Sequence, residues 1–228
     1  MTVQQHSMSG LGSTSRRRLP SINRRLMLQN SALVSAAFAI PGCFAEEVAE
    51  GLVKTAGMVE GPFYPDKLPL DTDNDLLLIN DSINPGVGEV TYLSGRVMGK
   101  SGKPIRNAFV EIWQCDVGGA YLHSGSSNKT KTDSNFQGYG RFLTDSKGEY
   151  SFRTIKPVPY TGRTPHIHVK VLINNRERLT TQFYLADHPG NARDWLYRRV
   201  PETDRERITM RFEDRTDKNP QARLDIVV

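Results

Sequence analysis

From His166 to Ile173 the chain alternates: His166, His168 and Lys170 share one parity, and Ile167, Val169, Val171 and Ile173 share the other. Successive side chains of a strand point to opposite faces, so both imidazoles lie on one face and the branched aliphatics on the other. The histidines therefore stand off the aliphatic core face. Just upstream, Pro157, Pro159 and Pro165 fix backbone torsions and remove amide donors, while Gly162 permits a sharp turn. The result is a stiff loop that carries Tyr160 and Arg163 to the start of the strand. Taken alone, a His-x-His pair also fits two polar residues on a solvated strand face.

Other segments repeat the short-strand pattern. Val90–Met98, Ala108–Cys115, Arg141–Thr144, Glu149–Thr154 and Leu179–Leu185 read as strands, separated by turn-formers such as Gly102-Lys103-Pro104, Lys147-Gly148 and Asn174-Asn175. Ile208–Phe212 and Ala222–Val228 read as closing strands, while Asn191–Arg199 and Glu46–Lys54 read as short helices. Seven or more short strands with turn chemistry between them predict a mainly β protein, an antiparallel β-sandwich with few short helices. Asp116–Tyr139 is a long polar stretch with four glycines, and a loop of that length in a compact domain is expected to carry function.

The formal charge of +5 over 228 residues looks like a nucleic-acid signal until it is located. Residues 1–45 hold five arginines and no acid, which accounts for the whole excess, since 25 basic and 25 acidic residues remain. No nucleic-acid partner is expected. The same 45 residues carry Arg24-Arg25, an apolar run from Ser31 to Ile40, and Cys43-Phe44-Ala45 before Glu46, the order of an export signal. Asn23-Arg24-Arg25-Leu26 is similar to a twin-arginine signal, although Asn23 and Met27 depart from its commoner residues. The expectation is an export signal over 1–45, a domain over 46–228 and a bacterial periplasmic destination. Membrane attachment follows only if Cys43 is lipidated. Two cysteines, Cys43 and Cys115, make no disulfide framework.

The ligand types available are tyrosine and histidine. A phenolate is a hard anionic donor suited to ferric iron, and imidazole is compatible with it. Beside Tyr160, Tyr121 is a second candidate, because Gly118 and Gly119 let the backbone turn inward where the strand after Trp113 ends. A packed loop aromatic is the alternative for Tyr121, and core packing is the expectation for Trp113 and Cys115.

Four strings in order, EIWQCDVGGAYLH, NFQGYGRFLTDSKGEYSFRTIKPVPY, RTPHIHVKV and TQFYL, make the chain resemble the intradiol ring-cleavage dioxygenases over about Glu60–Leu185. The resemblance implies a mononuclear non-haem Fe(III) held by Tyr121, Tyr160, His166 and His168. It further implies Arg163 as the active-site arginine, Gln182 as a polar residue beside it, and Tyr160 as the phenolate that substrate displaces. The implied partners are a small aromatic diol and O2, with both oxygen atoms entering a cis,cis-muconate-type product. Gly61, Pro62, Phe63 and Tyr64 resemble a segment lining the family's substrate cavity. His123 and His188 are expected to be structural or exposed.

Two departures bear on substrate. Only Thr161 and Gly162 separate Tyr160 from Arg163, where relatives have a longer roof, and Leu122 stands where a basic residue is common. Together they lead to the expectation of an open site preferring uncharged catechols. The competing reading is a non-catalytic transthyretin-like or adhesion module, which would lack the tyrosine and histidine quartet and would be colourless. A zinc hydrolase is a third, separable by metal analysis.

Overall fold

A computed structural model describes residues 51–79, 84–215 and 218–228. The expected leader over 1–45, with Arg24, Arg25 and Cys43, lies outside the described residues, as does the start of the helix expected over Glu46–Lys54. Residues 51–54 are not helical. Instead the amide of Leu52 bonds the carbonyl of Lys100 and that of Thr55 the carbonyl of Val227, an extended segment laid against the sheets.

Among the described residues ten strands form two five-stranded sheets: β1 (Val90–Met98), β2 (Ala108–Trp113), β3 (Tyr139–Leu143), β4 (Glu149–Ile155), β5 (His166–Ile173), β6 (Arg176–Leu185), β7 (Thr209–Met210), β8 (Glu213–Arg215), β9 (Lys218–Arg223) and β10 (Ile226–Val227). In the first sheet β1 pairs with β4 on one side and with β9 and β10 on the other, and β8 follows β9. The second runs β3-β2-β5-β6-β7. The long pairings, β1 with β4, β2 with β3 and β5, and β5 with β6, are antiparallel. Three pairings, β1 with β9, β1 with β10 and β6 with β7, are parallel, so both sheets are mixed. Between β6 and its parallel partner β7 the chain passes through two short helices, α1 (Trp195–Arg199) and α2 (Glu202–Arg205).

The core lies between the sheets. Leu93, Val97, Tyr150 and Phe152 of the first meet Val110, Ile112, Ile167, Val169, Val171 and Phe183 of the second. Burying each such aliphatic or aromatic side chain is worth about 1.5–3 kcal/mol. The other face of the second sheet is where the alternation of β5 matters. Register places Trp113 opposite His168 and His168 opposite Gln182, with Glu111 opposite Lys170 one pair along and His166 opposite Tyr184. This polar face is not solvated: His166 and His168 are each 1% exposed, Gln182 and Trp113 0%. Segment 55–65 and the loops after β2 and β4 cover it. The amide of Met58 bonds Thr180, and Gln182 Nε2 donates to the carbonyl of Val59.

Candidate active site

The two histidines, adjacent on one face of β5, aim their ring edges at each other. Nε2 of His166 and Nε2 of His168 are 3.2 Å apart. His166 Nδ1 lies 2.6 Å from the carbonyl oxygen of Thr164, a bond that requires the proton on Nδ1 and leaves the lone pair on Nε2. Burial, reinforced for His166 by the nearby Arg163 cation, pushes the His166 pKa down to about 4 and that of His168 well below its ordinary value. Both rings are therefore neutral, with lone pairs available at physiological pH.

Tyr121 and Tyr160 complete the cluster from two loops. After β2, the backbone turns at Gly119 (φ 75°), where the glycine amide bonds the Asp116 carbonyl and the Asp116 carboxylate accepts from the amides of Gly118 and Ala120. A side chain at Gly119 would come within 3.3 Å of the Tyr160 Cβ. The turn sets Tyr121 inward, 4% exposed, with its ring 5.0 Å from that of Tyr160 and 5.8 Å from that of His168. Phe63 stacks on Tyr121 at 5.1 Å and meets Tyr160 edge-on, so of the 61–64 segment Phe63 packs directly against both tyrosines. Tyr160 opens a tight turn closed by the Arg163 amide on the Tyr160 carbonyl at 2.7 Å, with positive φ at Thr161 (25°) and Gly162 (79°). Its ring sits 5.5 Å from His166. Burial raises the pKa of both phenols, and that of Tyr121, the deeper of the two, lies well above the ordinary value.

Arg163 is fixed by three partners. Nε donates to the Asp194 carboxylate at 2.8 Å, and Nη2 donates to Gln182 Oε1 at 2.7 Å and to Tyr184 Oη at 3.1 Å. Asp194 is buried, which raises a carboxylate pKa, but the Arg163 guanidinium and the amides of Tyr197 and Thr164 outweigh this and hold it below the ordinary value. The same carboxylate caps α1. Neither Asp194 nor Tyr184 stands out in the sequence, because Asp194 meets Arg163 across 31 residues.

Trp113, expected to be core, has a further place: its ring stacks on His168 at 4.8 Å with a 12° interplanar angle. Strand parity, which puts Trp113 on the same face as Glu111 and opposite to that of Val110 and Ile112, was the sequence signal for it. His123 touches Phe63 but stands away from the quartet's hydrogen bonds, and Leu122 is 37% exposed. Cys115 is a buried free thiol whose pKa burial pushes up to about 12.

The donors fit a metal. Tyr121 Oη and His168 Nδ1 are buried without a hydrogen-bond partner, and the two imidazole Nε2 atoms converge. Among the described residues no group of three or more His, Cys, Asp or Glu could hold a metal ion, so the ligand set that fits combines two imidazoles with two phenols. Hard phenolate oxygen with imidazole nitrogen suits ferric iron, and a highly charged cation would offset the burial that otherwise keeps the phenols protonated.

A family model described as Dioxygenase matches residues 59–226. Over 173 residues the chain is 36% identical to the protocatechuate 3,4-dioxygenase beta chain of Burkholderia cepacia, covering 70% of this chain and 72% of that one. It is 29% identical over 172 residues to a catechol 1,2-dioxygenase of Acinetobacter baylyi, 67% of this chain and 53% of the relative, so it spans about half of that longer protein. The dioxygenase domain of a dioxygenase carbohydrate-binding protein fusion from Streptomyces sp. SirexAA-E superposes with a TM-score of 0.60 at 30% identity, covering 77% of this chain and 98% of that domain. A β-sandwich with a buried Tyr and His cluster on the outer face of one sheet thus meets its sequence relatives. The chain belongs to the intradiol ring-cleavage dioxygenase family. It is an enzyme of that class, and the family's substrates are aromatic diols and O2, its typical cofactor non-haem Fe(III).

Proposed function

We propose that Tyr121, Tyr160, His166 and His168 hold a single non-haem Fe(III), and that the protein cleaves a catechol-type diol between its hydroxyl-bearing carbons with O2. Both oxygen atoms enter a cis,cis-muconate-type product. The observation that carries this reading is the convergence of two neutral imidazole Nε2 atoms, 3.2 Å apart, beside the buried, unpartnered hydroxyl of Tyr121. A non-catalytic sandwich module has no use for such a cluster.

Bound Fe(III) would supply Lewis acidity to the diol and open its ring to O2. The chain's own residues divide the remaining work. Tyr160 is the less buried phenol, so its Oη is the atom placed to take a diol proton. Arg163, always cationic, is held rigid by Asp194, Gln182 and Tyr184 and stabilises negative charge developing on the substrate. Gln182 is fully buried, with Oε1 accepting from Arg163 and Tyr184 and Nε2 donating to Val59, so it acts by positioning Arg163.

Metal content and colour test the assignment. Aerobically purified, iron-loaded protein is expected to carry iron and to absorb visible light through ferric tyrosinate. His168→Ala is expected to lose the metal, whereas Tyr160→Phe retains more of it while losing turnover, because Tyr160 is the least buried of the four residues that would hold it. A colourless protein holding stoichiometric zinc, or full activity in His168→Ala, contradicts the proposal.

A further inference from the structure

The two imidazoles of the cluster are held in different ways. A histidine that ligates a metal ordinarily donates its second ring N–H to an acceptor, and that bond fixes both the tautomer and the ring plane. His166 follows the rule through Nδ1, 2.6 Å from the carbonyl oxygen of Thr164. His168 does not. With its Nε2 lone pair turned to the cluster, the neutral ring carries its proton on Nδ1, and that atom is buried with no hydrogen-bond partner among the described residues. The torsion that sets an imidazole's plane is broad by itself, so another contact must fix it.

The contact present is a flat one. The indole of Trp113 lies 4.8 Å from the His168 ring at 12° to it, whereas Tyr121 and His166 meet that ring edge-on at 71° and 68°. Register explains the stack: Trp113 of β2 stands directly opposite His168 of β5, and both side chains leave the same face of the sheet. Turning the imidazole out of this plane would drive its edge into the indole. The backbone also closes in at Gly61, where a Cβ would stand 3.3 Å from His168 Cε1.

Trp113 is itself fixed without its own N–H. It is fully buried, its Nε1 has no partner among the described residues, and Tyr64 meets it edge-on at 5.0 Å. Tyr64 Oη donates to the buried Glu111 carboxylate at 2.9 Å, and Lys170 Nζ lies 4.0 Å from the Tyr64 ring centroid while pairing with Glu60. A buried N–H without a partner is unfavourable beside an all-carbon ring, so the flat face is what this position uses.

We propose that Trp113 is a positioning residue of the metal centre, whose indole face fixes the plane of His168 in place of the hydrogen bond that fixes His166. The inference rests on the intradiol reading above. It makes the two imidazoles unequal: the Thr164 carbonyl strengthens His166 as a donor, and His168 depends on orientation alone.

The test uses the iron-loaded full chain and two readouts other than turnover. One is retention of Fe(III) against a chelator, and the other is the electron paramagnetic resonance line of the ferric ion, whose width reports the spread of ligand geometries. Trp113→Leu removes the flat face and is expected to weaken retention by about tenfold or more and to broaden the line. Trp113→Phe keeps a flat ring and is expected to stay within about threefold of wild type, with a narrow line. Tyr64→Ala, at a half-buried position, removes the edge that backs Trp113 and is expected to shift both readouts in the direction of Trp113→Leu. Phe152→Leu, in the core between the sheets, is the control for lost stability and is expected to leave the line unchanged. Equal behaviour of Trp113→Leu and Trp113→Phe, or equal broadening in Phe152→Leu, overturns the inference. If Trp113→Leu does not fold, Tyr64→Ala decides, and unchanged readouts there overturn it. Wild-type protein that takes up no Fe(III) overturns the intradiol reading and the inference with it.

Discussion

His166 and His168 keep their lone pairs because burial denies them protons. In the folded, metal-free chain His166 titrates near 4, against an ordinary value of 6.5, and His168 is also depressed. Unfolded imidazoles take up protons as pH falls through about 6.5 and the folded ones do not, so the unfolded state gains relative stability from there down to about 4. The stabilisation is complete above pH 6.5 and is lost on acidification. Thermal unfolding of the metal-free protein between pH 7 and 4 should show this decline, shallower in His166→Gln. An identical slope in that variant would contradict the assignment of its cause. Period-two alternation made the shared face of His166 and His168 legible and the Pro- and Gly-bounded loop pointed to Tyr160 and Arg163, whereas Tyr121 as a ligand, and the quartet as a set, came only with the family resemblance. Their burial was not legible, since it depends on segment 55–65 crossing the sheet through Met58 and Val59. Nor was the Arg163–Asp194 pair, which no spacing rule connects.

The turn at Tyr160–Arg163 shows how an element stores strain for a site. Thr161 has φ 25°, where a β-branched residue is disfavoured, and Gly162 follows at 79°. The two left-handed residues close the chain in the shortest connection that sets Tyr160 and Arg163 side by side, and strain of this kind is held where surrounding contacts over-determine the backbone. Thr161→Asn is expected to stabilise the protein by about 0.5–1 kcal/mol, because asparagine tolerates the left-handed region. Chemical denaturation measures it, and an unchanged or lower midpoint would mean that the turn is not strained. Asn174-Asn175, with φ 52° and 58°, is the relaxed counterpart between β5 and β6, and its turn chemistry was plain in the sequence. The parallel pairings of β7, β9 and β10 were not, because short strands reached by long connections carry no local mark of their partners. The expected helix over Asn191–Arg199 resolves into a 3-10 turn at Pro189–Ala192 and α1, with Asp194 breaking between them as the cap.

At the scale of the whole molecule the fold separates two tasks between the faces of one sheet. The inner face, with Ile167, Val169 and Val171, is bound into the core, and the outer face presents His166, His168, Gln182 and Trp113 to loops that close over them. A sequence of alternating strands foretold the sandwich, but the second covering layer came from irregular segments whose long-range contacts have no periodic signature. Residues 1–45 add a separate expectation: export of the folded protein that depends on Arg24 and Arg25. Replacing both with lysine should leave activity in the cytoplasm, measured by fractionation, and unchanged periplasmic activity would favour another export route.

Intradiol cleavage by the chain leaves an isotopic signature in the product. Iron-loaded protein is given a catechol under 18O2 and the ring-opened product is analysed by mass spectrometry. The expected product is a cis,cis-muconate-type diacid with one labelled oxygen retained in each new carboxyl group, apart from label lost by exchange with water. A semialdehyde from cleavage beside the diol, or a quinone without incorporated oxygen, would contradict it.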